Sequence, residues 1–357
     1  MNTSNLKKYI IGEYEFFEGP YGKRVITYAD YTASGKTVSF IENYVIELER
    51  NYANTHTKDS HLGETSTNLY KQSKSIIRQC INASSNNSII FVGTGTTGAL
   101  EKLSMILGIY RSPATKNNID AVNSKFTRSS YTKEKLLQEQ DLEIDKRKPV
   151  VFISSYEHHS NELLWKEGFA EVVKISLNQE GLFDLEDLKS KLLEPCYKNR
   201  IKIGSFSAAS NVTGIKTPTY EIAKIMHRHN GYAFFDFAAS APYVEIDMNK
   251  STTEYFDGIC LSPHKFLGGP GSSGLLVINN RIYNSDLAPT CAGGGTVDYV
   301  NSNVYDFTKN IEEREEAGTP GLLQAIKAAL AFQLKDKVGI RNINAIEEKL
   351  IANALTA

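Results

Sequence analysis

Lys265 stands in LSPHKFLGGPGSSG, residues 261–274, where an apolar segment gives way to a run of glycines. An amine kept dry in a glycine-lined turn loses part of the stabilisation of its charge. Its pKa falls from the usual value of about 10.4, and it becomes a nucleophile able to form a Schiff base with a carbonyl. A second stretch, FVGTGTTGAL at 91–100, follows an apolar run and opens a helical pattern. The unpaired N–H groups and the positive dipole end at such a helix start suit an anion, with Gly95, Thr96 and Thr97 at the turn. A third, AFFDFAAS at 233–240, sets Asp236 among apolar neighbours, where an ionised carboxylate without a cationic partner is costly. A fourth, ISSYEHHSNELLW at 153–165, ends an apolar run with His158 and His159. A ring there can stack on a planar ligand or exchange protons with it.

An aldehyde that also carries a phosphate would join the lysine and the anion turn as two ends of one ligand. Pyridoxal 5'-phosphate is that ligand, and its ring nitrogen calls for an acid such as Asp236. Plainer readings stand beside this one. Gly93, Gly95 and Gly98 satisfy the G-x-G-x-x-G pattern of dinucleotide enzymes, yet the ribose-binding acid expected about 20 residues later at a strand end falls in a polar stretch around Asp120. The turn can equally be a tight strand-to-helix link without a ligand, Asp236 a cap at a strand end, and the two histidines ordinary loop residues.

Length and composition set the frame for these residues. The 357-residue chain is long enough for a sizeable α/β domain with a smaller unit. Its 41% hydrophobic and 23% charged residues, with a net charge of -1, give no electrostatic reason to expect nucleic acid or an anionic membrane as partner. The N-terminal stretch carries neither a secretion signal nor a spanning segment, which reads as cytoplasmic. Cys80, Cys196, Cys260 and Cys291 match no zinc or redox spacing, and no histidine pair matches a metalloprotease motif. No metal is expected.

The elements that must position the site read as follows. Apolar, β-branched runs at 88–93, 149–155, 201–208, 231–238 and 274–279 predict buried strands. Between them, 99–108 shows a broad apolar helical face, FDLEDLKSKL offers Asp184 as N-cap, and TYEIAKIMHRHNG reads as a helix closing on Gly231. This alternation predicts an α/β fold, a mixed and mostly parallel sheet with helices on both faces. Residues 111–148 are polar and charged, and read as a surface excursion.

The ordered set GTTGAL, EHHSNELLW, SNVTG, FFDFAAS, SPHK, AGGGTV and EAGTPG, over roughly residues 25–330, resembles the class V aminotransferase group of fold-type I pyridoxal phosphate enzymes. Within that group it is most similar to the NifS/SufS-like cysteine desulfurases and selenocysteine lyases. The resemblance implies Lys265 as the Schiff-base lysine, Asp236 as partner of the pyridinium nitrogen, and His158 as the ring-stacking residue and acid/base. It implies Gly95, Thr96, Thr97, Ser262 and His264 around the phosphate, Asn211 at the phenolic oxygen, and Thr296 reaching the cofactor of a partner subunit in a homodimer. Ala33 and His56 would lie near the amino acid. The implied domains are an N-terminal arm (1–24), a cofactor-binding large domain (25–325) and the start of a C-terminal small domain (326–357) that is otherwise largely missing.

Two departures from the family pattern follow. Ala239 stands where many desulfurases carry Gln beside the phenolic oxygen, so Asn211 or Ser240 would have to compensate. The family's nucleophilic cysteine and carboxylate-binding arginine lie farther from the lysine than Ala357. Cys291 is a poor substitute without a cationic neighbour, and Cys260 reads as core. The implied activity is conversion of L-cysteine to L-alanine with sulfur passed to an enzyme thiol and on to a sulfur-acceptor protein. The alternatives are another class V reaction, as transaminase or lyase, or a cofactor-binding scaffold without turnover.

Overall fold

The computed structural model describes residues 6–55, 57, 59–127 and 146–356. His56 therefore lies outside the described residues, as do 128–145 of the polar stretch; residues 113–127 of that stretch form a helix.

Eleven strands are described: β1 (Phe16–Gly19), β2 (Gly22–Val25), β3 (Asn87–Val92), β4 (Val150–Ser154), β5 (Glu171–Ile175), β6 (Lys202–Ser207), β7 (Gly231–Asp236), β8 (Gly258–Leu261), β9 (Gly274–Asn279), β10 (Val297–Val300) and β11 (Tyr305–Phe307). β1–β2 and β10–β11 are separate two-stranded hairpins, and the other seven form one sheet in the order β3-β9-β8-β7-β6-β4-β5. β4 runs parallel to β5 and β6, and β6 parallel to β7, whereas β3 and β9 are antiparallel. The sheet is thus mixed and mostly parallel, with helices along the chain between its strands, as the alternation of runs predicts. Each predicted strand run coincides with one of these strands to within two residues at either end.

The helices are α1 (Ser39–Glu49), α2 (His61–Cys80), α3 (Gly95–Ile106), α4 (Pro113–Thr127), α5 (Leu163–Glu167), α6 (Leu185–Leu192), α7 (Thr219–Arg228), α8 (Ile311–Glu315), α9 (Leu322–Val338) and α10 (Ile340–Thr356). Asp184 caps α6 as expected, its Oδ1 accepting from the amides of Glu186 and Asp187 at 2.9 and 3.0 Å. α7 ends earlier than its sequence suggests. Asn230 takes the left-handed conformation (φ 56°) that a C-terminal glycine would adopt, as asparagine can. Gly231 instead opens β7, where a Cβ would lie 2.7 Å from Met226 Cε. Among the described residues no helix is long and apolar enough to cross a membrane.

The chain divides into two units. The first comprises residues 1–99, 237–250 and 260–357, and the second 100–236 and 251–259. In the first, Val38, Ile41, Leu334 and Val338 form a buried cluster with Leu6, and Phe266 packs on Phe332 with ring centroids 4.6 Å apart. β3 gains an unusual edge there. Its Ile89 and Phe91 amides donate to carboxylates of Glu312 (2.8 Å) and Glu316 (2.6 Å), and Lys74 pairs with both acids. Burial pushes the Glu316 carboxyl up in pKa, against the pull of Lys74. In the second unit, residues 150–153 of β4 are fully buried, which is why they read as a continuous apolar run. Phe235 packs at a tilt against both Phe206 and Phe256, with ring centroids 6.2 and 4.8 Å apart.

Candidate active site

In the first unit, β3 runs into Gly95, whose φ of 55° is the left-handed region that glycine enters without strain. α3 starts at that residue, and its first turn is tied back to the loop, the Gly98 amide donating to the Thr94 carbonyl at 3.2 Å. The Thr96 amide donates to Ser262 Oγ at 2.9 Å, and the Ser262 hydroxyl donates to Thr96 Oγ1 at 3.1 Å; both residues are buried. Thr97 is exposed in the first turn. A Cβ on Gly95 would sit 2.8 Å from Ser262 Oγ and 3.0 Å from His264 Cε1. The structure therefore brings together Gly95, Thr96, Ser262 and His264. Burial and the neighbouring Lys265 ammonium hold the His264 imidazole below its ordinary pKa, so it is neutral near pH 7.

Lys265 closes a 3-10 turn, Pro263–Lys265, that follows β8. Its own amide donates to Ser262 O (3.0 Å), and the carbonyl of His264 accepts from the Gly35 amide (3.0 Å) and from Ser34 Oγ (3.3 Å). These bonds tie the loop carrying Ala33 to the lysine turn; Ala33 itself is exposed. The glycines of the lysine segment serve close approach, since a Cβ on Gly274 would fall 2.4 Å from the Gly95 carbonyl oxygen. Lys265 is half-buried and lines a cavity of about 420 Å³ with Tyr31, Tyr243, Phe266 and Lys335 among its walls. Lys335 lies 5.8 Å from the Phe266 ring centroid and donates to the Val244 carbonyl. Burial pushes its pKa down to about 8.

In the second unit, Asp236 ends β7 and is 6% exposed. It pairs in register with Ser207 at the end of β6, and its carbonyl accepts from the Ala208 amide at 2.8 Å. His158 follows β4 with an exposed ring. The Ser160 amide donates to His158 Nδ1 at 3.2 Å, which places the proton of the neutral ring on Nε2. Asn211 lies in an exposed turn after β6, held by Ser210 Oγ accepting from the amides of Val212 and Thr213. The C-terminal ends of β4, β6 and β7 thus carry His158, Asn211 and Asp236, at the edge where open parallel sheets bind ligands.

One residue of this edge escapes a reading of the sequence. Glu157 sends its carboxylate between strands and accepts from Ser154 N and Oγ, Ser207 N and Oγ, and Asn161 Nδ2, at 2.5 to 3.1 Å. Burial raises its pKa, and the hydrogen bonds from Ser154 Oγ, Ser207 N and Oγ, and Asn161 oppose the rise. The only signal was the serines that bracket EHHS and SFS.

The remaining expected residues fall as follows. Thr296 is fully buried; its hydroxyl donates to the Gly293 carbonyl (2.7 Å) and shapes the glycine turn of its own chain. Cys260 is fully buried in β8, and Cys291 is exposed. Ser240 Oγ is buried and has no hydrogen-bond partner among the described residues.

The chain is an α/β protein with a lysine turn after β8 packed beside the glycine turn after β3, and sequence comparison gives the family. The family model for aminotransferase class-V matches residues 27–148 and 125–357. The chain belongs to that family. Among curated proteins it is 28% identical over 336 residues to a probable cysteine desulfurase of Halalkalibacterium halodurans, covering 92% of this chain and 71% of that protein. A probable cysteine desulfurase of Pyrococcus abyssi is 27% identical over 91% of this chain and 71% of its own length. The apo structure of a cysteine desulfurase from Thermococcus onnurineus superposes with a TM-score of 0.74 at 23% identity, covering 99% of this chain and 76% of that one.

Proposed function

We propose that the protein is a pyridoxal-phosphate-dependent enzyme of the cysteine desulfurase kind, taking L-cysteine and a thiol to L-alanine and a persulfide. The observation that carries this reading is Lys265, half-buried in a turn bonded to the 34–35 loop, in the same unit as the helix start that gathers Thr96, Ser262 and His264. The donor chemistry fits the cofactor. Gly95, Thr96, Thr97, Ser262 and a neutral His264 suit a phosphate, Asp236 suits a protonated ring nitrogen, and the unsatisfied hydroxyl of Ser240 suits a further acceptor or donor on the ligand.

When bound, the cofactor supplies an electron sink for charge formed at the substrate α-carbon. Lys265 Nζ is the residue that would hold the cofactor and would move the α-proton. Asp236, itself buried, would keep the proton on the ring nitrogen, so that the developing charge is neutralised. His158 would lie against the ring face, with Nε2–H as the proton it could offer. Asn211 would bind the phenolic oxygen, and the Ala33 loop, tied to the lysine turn, would border the amino acid. The relatives' names support cysteine as substrate, and a sulfur-acceptor protein is the partner that a persulfide product calls for.

The test is product analysis with L-cysteine and a thiol in the presence of pyridoxal phosphate. Equimolar alanine and sulfide or persulfide are expected. Keto acid formed instead, with no sulfur released, would replace the desulfurase reading by transamination.

A further inference from the structure

Glu157 is an acid on a crowded edge with no cation among its hydrogen-bond partners in the described residues, and it accepts from five donors. Two of those donors come from Ser154 at the end of β4 and two from Ser207 at the end of β6. The fifth, Asn161, is fully buried and itself fixed by Trp165 Nε1 (3.0 Å) and Ser205 Oγ (2.6 Å). The residue before it makes a parallel tie. Tyr156 Oη bonds Thr217 Oγ1 at 2.7 Å, and Thr217 Oγ1 donates to the Ser207 carbonyl at 2.5 Å. Glu157 thus binds residue 207 directly and Tyr156 reaches it through Thr217, and the register partner of Ser207 across the sheet is Asp236.

We propose that Glu157 is a positioning residue that fixes the distance and tilt between the His158 ring and the Asp236 carboxylate. His158 follows Glu157 directly in the chain, and its ring is locked at Nδ1 by the Ser160 amide, inside a 3-10 turn that ends on Asn161. The acid thus grips both ends of the segment that carries the ring, and grips the strand whose neighbour carries the acid. A carboxylate suits this role because it can accept along both oxygens at once; an amide would turn one acceptor into a donor facing Ser154 or Ser207.

The consequence rests on the cofactor reading above, but the geometry can be tested without it. In the whole chain labelled with 15N-histidine and free of cofactor, His158 resonances, assigned by their loss in His158→Asn, should show a single Nε2–H tautomer. Glu157→Gln should average the two ring nitrogens, and Ser207→Ala, which removes one donor and is the safer variant to fold, should move them partway. With pyridoxal phosphate bound, visible circular dichroism per bound cofactor should weaken in both variants, and kcat should fall about tenfold or more with KM little changed. A lower melting temperature with tautomer, dichroism and kcat all as in the parent would reduce Glu157 to a structural tie and overturn the inference. A parent chain that takes up no cofactor would sink the enzyme reading instead, and the tautomer comparison would still decide the role of Glu157.

Discussion

Among single residues, the balance of burial against attraction is clearest at Lys335. Desolvation there outweighs the pull of Cys80, Asp336 and Glu245, and its pKa falls from 10.5 to about 8. The unfolded chain holds that proton up to about pH 10.5, the folded chain only to about 8. Between these values the unfolded state binds more protons, so stability from this group rises with pH and is lowest below 8. Lys335→Met lacks the term. We expect the melting temperature of the parent to gain on that of the variant between pH 8 and 10.5, by the equivalent of about 1–2 kcal/mol once solvent contact is allowed for; parallel curves would contradict the shift. Lys335 was invisible in the sequence because FQLKDKV reads as a helix with solvated lysines. Glu157 was hidden for a similar reason, since a glutamate beside two histidines reads as loop. Lys265 and Asp236 stood out because a charge among glycines or phenylalanines is costly unless it has work to do.

For whole elements, what was legible followed burial. β4 and β7 lie inside the sheet and read as unbroken apolar runs, whereas β5 at the edge, EVVKI with exposed or half-exposed residues at four of its five positions, did not register as a strand. β8 is four residues long and merges with the segment before the lysine. The end of α7 was misplaced because Asn230, not Gly231, supplies the left-handed residue. The glycines around the lysine were legible as a close-approach loop, and the structure gives the partner: β9 begins with its backbone against Gly95. Gly274→Ala would force that contact apart. Unfolding by denaturant should show a loss of about 2–3 kcal/mol, with weaker uptake of pyridoxal phosphate because the anion turn shifts with it. A variant of parental stability would show that the turn has slack that the geometry does not.

For the molecule as a whole, the two hairpins carry a large share of the exposed aromatics, with Tyr21 84% and Tyr305 61% exposed. Bare surface of that kind favours an assembled state, and sedimentation of the chain is expected to give the mass of a homodimer; a monomer at micromolar concentration would contradict it. The fold was legible from the order of strand and helix runs, and the family from seven short motifs in sequence. The polar ties that hold the pieces in place were not, because a hydrogen bond between residues 157 and 207 leaves no periodic trace. The central claim is that Lys265 carries the cofactor, and the most direct test is the intact mass of the chain after incubation with pyridoxal phosphate and reduction with borohydride. The expected result is one reduced pyridoxyl phosphate per chain, mapped by peptide sequencing to Lys265 and absent in Lys265→Ala. An unmodified chain, or a label spread over other lysines with residue 265 bare, would contradict it.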